Sequence, residues 1–579
     1  MKILAIIIVL ASIASAQKGE PADTIFINGD IYTGAVLPFE PGVKTPTQQR
    51  VQAIAVKDGR IIATGTNSEV HRLYASKTQI IDLKGHFVMP GLNDAHVHLG
   101  EAGREKMNVD LVGVKSLDEM KQRVAAKVKT AAPGEWIVGG GWDHTKWAGA
   151  TLPTRQDIDS VTEGHPAYFD RVDGHIAIAN SSALQGAGIT KETVPPTGGA
   201  IDRDSNGDAT GIFRESAKQL ITSKIPKPSA AQRRKALELA TADAAANGLT
   251  SVQDYSDWED FLVMEEMERG GALPVRVSEW LSFHDPVATL QEHRAHHSQT
   301  DPMLHTGMLK GFMDGSLGSR TAALLAPYAD DPKNTGLPQY KQDELNQMAR
   351  ERARAGFQIG FHAIGDGATA MALQAFAEGE REARENHVKQ SNFRFRIEHD
   401  QVLTAEQPAE YAKLGVIASV QPNHLLTDMN WAEDRIGAER AKHSYPWRDF
   451  VNNKVMLAFG TDYPVEPVTP FRGIYCAVTR TNEAGTKTYF AEQKLTIEEA
   501  LAAYTTGSAY AEFEEKDKGL LQPGMLADFV VLDRDLTKVP AHEILETKVL
   551  RTVVGGKTVF DFKASVKALN KELHPDYKK

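Results

Sequence analysis

Cysteine is almost absent from this sequence of 579 residues, in which Cys476 is the only one. A single cysteine excludes an internal disulfide, and a chain of this length buries enough apolar surface to fold without one. Basic residues are also in the minority. The sequence has 65 Lys and Arg but 76 Asp and Glu, so its formal net charge is −11. This acidic balance, without basic runs, argues against nucleic acid as a partner.

Long apolar runs are missing after the first residues, so no later segment has the length and apolarity of a membrane span. The N-terminal run over residues 3–13 is too short for a permanent span. It follows Lys2 and ends in Ala14-Ser15-Ala16, a pattern typical of a cleavable signal peptide. We therefore predict that residues 1–16 are removed before Gln17, which places the mature protein in the periplasm or outside the cell.

Eight apolar stretches of the sequence are typical of buried strands. They cover residues 91–98, 248–255, 273–283, 307–314, 357–362, 393–399, 415–421 and 454–462. Helical patterns separate most of these stretches, and three of the helices stop at Gly248, Gly356 and Gly415, since glycine tolerates the positive φ that follows a helix. Eight strands alternating with helices predict an α/β fold, a (β/α)8 TIM barrel over residues 90–515.

The alternation has one long gap, because residues 99–247 separate the first strand from the second. This length far exceeds what a crossover between neighbouring barrel strands needs. We predict a large insertion over about residues 115–228, on the barrel face where the strands end. Insertions at this face often help to build the substrate pocket.

The two ends of the sequence, residues 22–89 and 516–562, share a pattern of short β-prone runs separated by turns. Three dipeptides predict tight hairpins: Asn28-Gly29, Asp58-Gly59 and Gly555-Gly556. Together the two ends predict one small β-sandwich beside the barrel, followed by a C-terminal tail over residues 563–579.

Polar side chains with metal-binding chemistry lie where the predicted barrel strands end. His96 and His98 are two residues apart on the first strand, so their side chains point to the same side. His362 closes the fifth strand, His399 the sixth and Asp462 the eighth. Because parallel strands of a barrel end at one face, these groups predict a site for zinc or a similar divalent ion.

Several short motifs resemble those of a known family. The H-x-H after "PGLND", the "HAIGD" of residues 362–366, the "RIEH" of 396–399 and the "GTDYPV" of 460–465 resemble the metal-dependent amidohydrolase superfamily. The segments "GGWDHTKW", "LPTRQDID", "RVDGHIAIANSSAL" and "DGSLGSRTAAL" resemble its YtcJ-like branch, which includes N-substituted formamide deformylase-type enzymes. The resemblance covers about residues 22–562.

The resemblance implies roles for the histidines and the aspartate. His96 and His98 would bind a buried metal, with Asp462 as a ligand or general base beside it. His362 and His399 would bind a second metal or complete a single site. One or two metal ions per chain, most simply zinc, are therefore expected.

Lys310, near the end of the fourth strand, falls where some relatives carry a carboxylated lysine. Such a carbamate has two oxygens that bridge two metals, whereas a free ammonium cannot coordinate a metal. The alternative is an unmodified Lys310 that pairs with Asp314 or stays in solvent. A two-metal site depends on the carboxylation.

The reaction expected of such a site is hydrolysis of a small molecule. A divalent ion lowers the pKa of bound water from about 15.7 to around 7, and the resulting hydroxide attacks an amide or formamide carbonyl. Asp462 would pass the water's proton to the leaving nitrogen. The hypothesis is an exported hydrolase of non-peptide carbon–nitrogen bonds. A deaminase of a cyclic amidine, a lactone or ester hydrolase, and a non-catalytic binding protein are the alternatives.

Four further residues are candidates for contact with the substrate. His175 is expected to hydrogen-bond the oxyanion or a substrate carbonyl, or else to be structural. Trp142 and Asp143 lie between glycine-rich turns and would line the pocket, unless the indole only packs. Arg320 would hold an anionic group or form a salt bridge. Relatives often form dimers, so a homodimer is expected on resemblance alone.

Overall fold

The computed structural model describes residues 20–172, 174–389 and 392–573. The predicted signal peptide over residues 1–16 lies outside the described residues. No helix within the described ranges is long and apolar enough to cross a membrane.

Eight parallel strands form the centre of the fold, as the alternation of apolar stretches predicts. In chain order, barrel strands 1 to 8 are Leu92–Val97, Leu249–Asp254, Arg276–Ser282, Leu304–Phe312, Ile359–Ala363, Arg396–His399, Ile417–Val420 and Leu457–Phe459. Each strand pairs in parallel with the next along the chain. The TIM barrel prediction is therefore confirmed.

Two backbone hydrogen bonds join the end of strand 8 to strand 1 and close the barrel. The His98 amide donates to the Tyr463 carbonyl and the Asp462 amide donates to the His96 carbonyl, both at 2.8 Å. A parallel bridge between Val97 and Tyr463 accompanies them. The seam of the barrel thus runs between residues expected to bind metal.

Helices pack around the strands and bury their apolar faces against them. The longer ones are Leu99–Met107, Ala230–Ala246, Trp258–Arg269, Val287–His296, Gln342–Arg354, Asp366–Glu385, Gln407–Leu414 and Pro470–Thr479. Shorter helices, His424–Asp428, Ala432–Ile436, Ala438–Ala441 and Trp447–Asn452, follow strand 7. The predicted helix stops Gly248, Gly356 and Gly415 all have positive φ, which a glycine adopts without strain.

The long insertion after strand 1 forms a six-stranded mixed sheet with its own apolar core. Its strands are Val109–Asp110, Ile137–Trp142, Ala167–Arg171, Ile176–Ala179, Gly199–Arg203 and Ala209–Glu215. The helices Leu117–Val128, Arg155–Thr162 and Ser181–Gly186 pack on it. The side chains of this sheet cluster among themselves, so the insertion has a core separate from that of the barrel.

Both chain ends contribute to two packed sheets beside the barrel. One sheet consists of Thr24–Ile27, Ala53–Lys57, Arg60–Gly65 and Gln79–Asp82. The other consists of Asp30–Tyr32, Arg50–Val51, Phe87–Pro90, Phe529–Leu532, Val549–Val554 and Lys557–Asp561. Phe26 of the first sheet and Phe529 of the second meet edge to face in the shared core, at 4.8 Å between ring centroids.

One of the three predicted hairpins is wrong. Asp58-Gly59 and Gly555-Gly556 do close antiparallel hairpins. Asn28-Gly29 instead carries the chain from one sheet of the sandwich to the other, because the strands on its two sides pair in different sheets. The positive φ of 57° at Asn28 suits a tight turn of either kind.

Candidate metal centre

Strands 1, 6 and 8 bring four of the predicted residues together at the end of the barrel. His96 Nε2 lies 3.5 Å and His98 Nε2 lies 3.1 Å from the same carboxylate oxygen, Oδ1 of Asp462. The ring of His399 lies 5.0 Å from that of His96, measured between centroids. A carboxylate that follows strand 8 therefore sits among imidazoles that come from strands 1 and 6.

The backbone at two of these strand ends is in an uncommon conformation. His399 has a φ of 82° and Asp462 a φ of 61°. Residues with a side chain rarely adopt the left-handed region, because Cβ then crowds the backbone. The seam hydrogen bond from the Asp462 amide to His96 holds one of these turns in place.

Hydrogen bonds orient the first two imidazoles. His98 Nδ1 lies 3.0 Å from the Tyr255 carbonyl, which only accepts, so Nδ1 carries the proton. His96 Nδ1 lies 2.8 Å from Oε2 of the buried Glu398 and donates to this carboxylate. Both rings therefore direct the lone pair of Nε2 toward Asp462, which is the tautomer that a metal ligand requires.

Burial keeps His96 and His362 neutral, whereas at His98 the hydrogen bond to Asp462 and the charge of this carboxylate together outweigh burial and raise the pKa of the imidazole. Burial lowers the pKa of His96 to about 4 and that of His362 to about 3, and the nearby Lys310 ammonium adds to both effects. Burial would raise the pKa of Asp462, but the surrounding imidazoles, His96 first, hold it well below its ordinary value. A neutral His96 and an anionic Asp462 are in the protonation states that bind zinc and similar ions, and a bound cation would displace the proton that Asp462 favours on His98.

The separations between these atoms fit a metal. Bonds of about 2.0–2.1 Å place neighbouring donors of a tetrahedral site about 3.3–3.4 Å apart, close to the 3.1 and 3.5 Å observed here. His399 Nδ1 is buried and has no hydrogen-bond partner among the described residues. The residues present therefore fit a divalent cation.

Lys310 lies inside this cluster. Its side chain is buried and Nζ is 3.1 Å from His96 Nε2, on the side of the ring that faces Asp462. Burial lowers the pKa of its amine to about 8. The alternative of a pair with Asp314 is not observed, because Asp314 accepts from the backbone amides of Ala323, Ile364 and Gly365.

His362 lies beside His399, with 4.4 Å between ring centroids. Its Nε2 lies 3.2 Å from the Gly315 carbonyl and so carries the proton. Only Nδ1 of His362 is left as a lone-pair donor.

A cavity of about 490 Å³ opens above the cluster. Its walls beyond the histidines and Asp462 are mainly apolar and come from the end of strand 4 and from the loops after strands 4, 5, 7 and 8: Phe312, Leu317, Ile364, Trp431 and Val465. Of the described residues, none from the insertion sheet lines this cavity. The expectation that the insertion builds the pocket wall is therefore not met at this cavity.

Trp142 and Asp143 do not line the cavity, contrary to expectation. The Trp142 indole is fully buried in the insertion, donates to the Phe169 carbonyl at 3.0 Å and packs on Trp147. Asp143 binds Arg171 at 2.7 Å. Trp142 thus belongs to the apolar core of the insertion, and Asp143 pairs with the end of the neighbouring strand of the same sheet.

His175 and Arg320 are also placed elsewhere. His175 lies on the insertion with 65% of its side chain exposed, and Nδ1 is 3.0 Å from a carboxylate oxygen of Glu215. Arg320 donates two hydrogen bonds to Asp330, at 3.0 and 2.8 Å. Neither side chain lines the cavity, so the structure favours the structural alternatives for both.

His424 belongs to the same cluster, although it was not predicted from the sequence. It lies on the short helix after strand 7, with Nε2 3.4 Å from Asp462 Oδ2 and Nδ1 3.3 Å from Gln401 Nε2. Its ligand atom groups with those of His399 and Asp462 as a second set able to hold a metal. His424 follows the predicted strand 415–421 by three residues, so the strand pattern alone does not indicate it, but an inspection of the residues just past each strand end would have found it.

Residues 79–560 match the amidohydrolase family. The protein therefore belongs to the amidohydrolase family and is a metal-dependent hydrolase that acts on carbon–nitrogen bonds.

Three relatives align over most of their length. LONG AFTER FAR-RED 3 of Arabidopsis thaliana is 33% identical over 94% of this chain and 92% of its own. The YtcJ protein of Bacillus subtilis is 31% identical over 88% and 96%. The N-substituted formamide deformylase of Arthrobacter pascens is 27% identical over 87% and 94%. These similarities confirm the resemblance to the YtcJ-like branch.

A solved structure shares the whole fold. The crystal structure of a metal-dependent hydrolase from Pyrococcus horikoshii has a TM-score of 0.73 and 30% identity, covering 90% of this chain and 99% of its own. The similarity thus includes the barrel and the additional sheets together.

Substitution of the first two histidines tests the metal centre. We expect His96→Asn and His98→Asn to lose most bound metal, because each removes an imidazole that faces Asp462 Oδ1. Elemental analysis of protein purified without chelator measures this. His175→Asn is the matched control and should keep the wild-type metal content; equal loss in all three variants would contradict the assignment.

Proposed function

We propose that this protein is an exported hydrolase that cleaves a non-peptide amide or formamide bond of a small molecule. The observation that carries the proposal is the cluster of His96, His98 and Asp462 at the floor of a mainly apolar cavity. The similarity to an N-substituted formamide deformylase supports the choice of bond. The apolar wall favours a neutral substrate with an apolar substituent.

His96, His98 and Asp462 would hold the metal, with Lys310 beside them. Zinc is the proposed ion, because imidazole nitrogen and carboxylate oxygen are its common ligands. When bound, the ion supplies Lewis acidity, which lowers the pKa of a coordinated water and polarises a carbonyl oxygen. Glu398 and the Tyr255 carbonyl keep the two imidazoles in their binding tautomer.

Asp462 is proposed as the proton carrier. Its Oδ1 faces His96 and His98, whereas Oδ2 faces His424. We assign Oδ2 as the acceptor of the proton that the attacking water loses. The same proton then goes to the leaving nitrogen, so that water and amide give a carboxylic acid and an amine.

Asp462→Asn tests this role. The amide keeps the shape of the side chain but cannot accept the proton, so we expect kcat for an N-formyl amine to fall by about 10²–10⁴. Steady-state kinetics measure the loss, with metal content determined on the same samples. Wild-type turnover by a metal-loaded variant would contradict the assignment. Opening of a lactone or deamination of an aminopurine by the wild type, with no cleavage of N-formyl or N-acetyl amines, would favour the alternatives.

Carboxylation of Lys310 is proposed because its amine is buried beside His96 and forms no ion pair with a carboxylate of the described residues. The lowered pKa, about 8, enlarges the neutral fraction that reacts with CO₂ as the pH rises. Protein exchanged into ¹³C-bicarbonate should show a carbamate carbon resonance that Lys310→Arg lacks. An identical spectrum for both proteins would overturn the carboxylation.

Export is proposed from the N-terminal pattern alone. Expression of the full chain in a Gram-negative host should give periplasmic protein whose N-terminal residue is Gln17. N-terminal sequencing measures the cleavage site. Deletion of residues 2–16 is the control and should leave the protein in the cytoplasm. Periplasmic protein from the deleted chain, or full-length cytoplasmic protein from the intact one, would contradict export by this segment.

A further inference from the structure

Two charged residues of the "RIEH" motif lie inside the barrel. Arg396 and Glu398 are two residues apart on strand 6, so both side chains point into the barrel, and both are almost completely buried. Arg396 Nε donates to Glu398 Oε1 at 2.6 Å. The other oxygen, Oε2, accepts from His96 Nδ1 at 2.8 Å. The three side chains form one hydrogen-bonded chain.

The guanidinium of Arg396 is fixed by several strands. Its Nη2 donates to the Ala95 carbonyl of strand 1 at 2.8 Å and to the Ser419 hydroxyl of strand 7 at 2.6 Å. Nη1 donates to the Gln253 side chain of strand 2. The face of Trp280, from strand 3, lies 5.0 Å from the guanidinium carbon. Arg396 is thus held from most sides and has little freedom to move.

Arginine stays charged in protein interiors, so Glu398 has a permanent cation beside it. A carboxylate in this setting is an acceptor only, and the ring proton of His96 must therefore lie on Nδ1. This leaves the lone pair of Nε2 directed at Asp462 Oδ1 and Lys310 Nζ. Without the carboxylate, the proton could move to Nε2 and block the binding atom.

We infer that Arg396 and Glu398 are positioning residues that fix the ring tautomer and orientation of His96 and thereby set the affinity for the metal. The effect on affinity rests on the proposed function of the cluster as a metal centre. The effect on the tautomer does not, because it is a property of the metal-free protein.

The chain offers a matched control. Arg394 and Glu515 also form a two-pronged ion pair, with distances of 2.9 and 2.8 Å and little exposure. Arg394 lies two residues before Arg396 in the sequence, and neither Arg394 nor Glu515 contacts His96. Glu515→Gln therefore removes one carboxylate from a similar pair without touching the metal centre.

The test compares wild type, Glu398→Gln and Glu515→Gln by competition with a chelating dye. We expect Glu398→Gln to weaken zinc binding by about 10–100-fold, the usual effect of removing a partner of a ligating histidine. Glu515→Gln should bind as the wild type does. Circular dichroism verifies that both variants are folded. Since Glu398→Gln leaves Arg396 without a counter-charge, the double variant Arg396→Met/Glu398→Gln removes both charges and should show the same weakening.

Nitrogen-15 NMR of histidine-labelled, metal-free protein gives the second measurement. The His96 resonances, assigned with His96→Asn, should show the Nδ1–H tautomer in the wild type and a mixture in Glu398→Gln. Wild-type affinity and an unchanged tautomer in Glu398→Gln would overturn the inference, as would equal weakening in Glu515→Gln. If the wild type binds no metal but the tautomer changes as expected, the positioning stands and the proposed metal centre fails.

Discussion

The closure of the barrel between strands 8 and 1 is the constraint on which the site depends. Two backbone hydrogen bonds at this seam connect the Asp462 amide to the His96 carbonyl and the His98 amide to the Tyr463 carbonyl. The same residues carry the side chains that converge on Asp462 Oδ1. Any change that opens the seam would therefore separate the carboxylate from both imidazoles. The geometry of the site thus depends on the same hydrogen bonds that close the barrel.

The interior of this barrel contains more polar side chains than is usual for a TIM barrel. Barrel cores of this kind are dominated by branched apolar side chains, yet Gln253, Lys310, Arg396 and Glu398 are all buried here. Burying charge is costly unless each charge is paired and hydrogen-bonded. The Arg396 and Glu398 pair meets this condition within one strand. Glu398 also accepts from His96, so this buried pair lies directly behind one of the imidazoles of the site.

The strand ends were predictable from sequence because the signals are local. Apolar runs and the glycines at 248, 356 and 415 mark each strand without knowledge of packing, and the barrel topology then places His96, His98, His399 and Asp462 at one face. In the insertion, by contrast, the local sequence does not determine which way a side chain points. Trp142 and His175 lie in motifs that match the family, but the insertion sheet uses them for its own core and surface. His424 was missed because it lies on a helix past the end of the strand, where the spacing of residues along a strand does not predict which side chains face the site.

None of the insertion residues that the structure describes lines the cavity wall, so the residues that shape the cavity come from other loops. The loop after strand 4 supplies Leu317, and the segment after strand 7 supplies Trp431. Ion pairs connect these two walls. Asp330 of the first loop binds Arg320 of the same loop and Arg435 of the segment after strand 7. Arg320, expected from sequence to hold a substrate anion, is thereby part of the connection between the walls. The shape of the cavity therefore depends on how these two loops are held against each other.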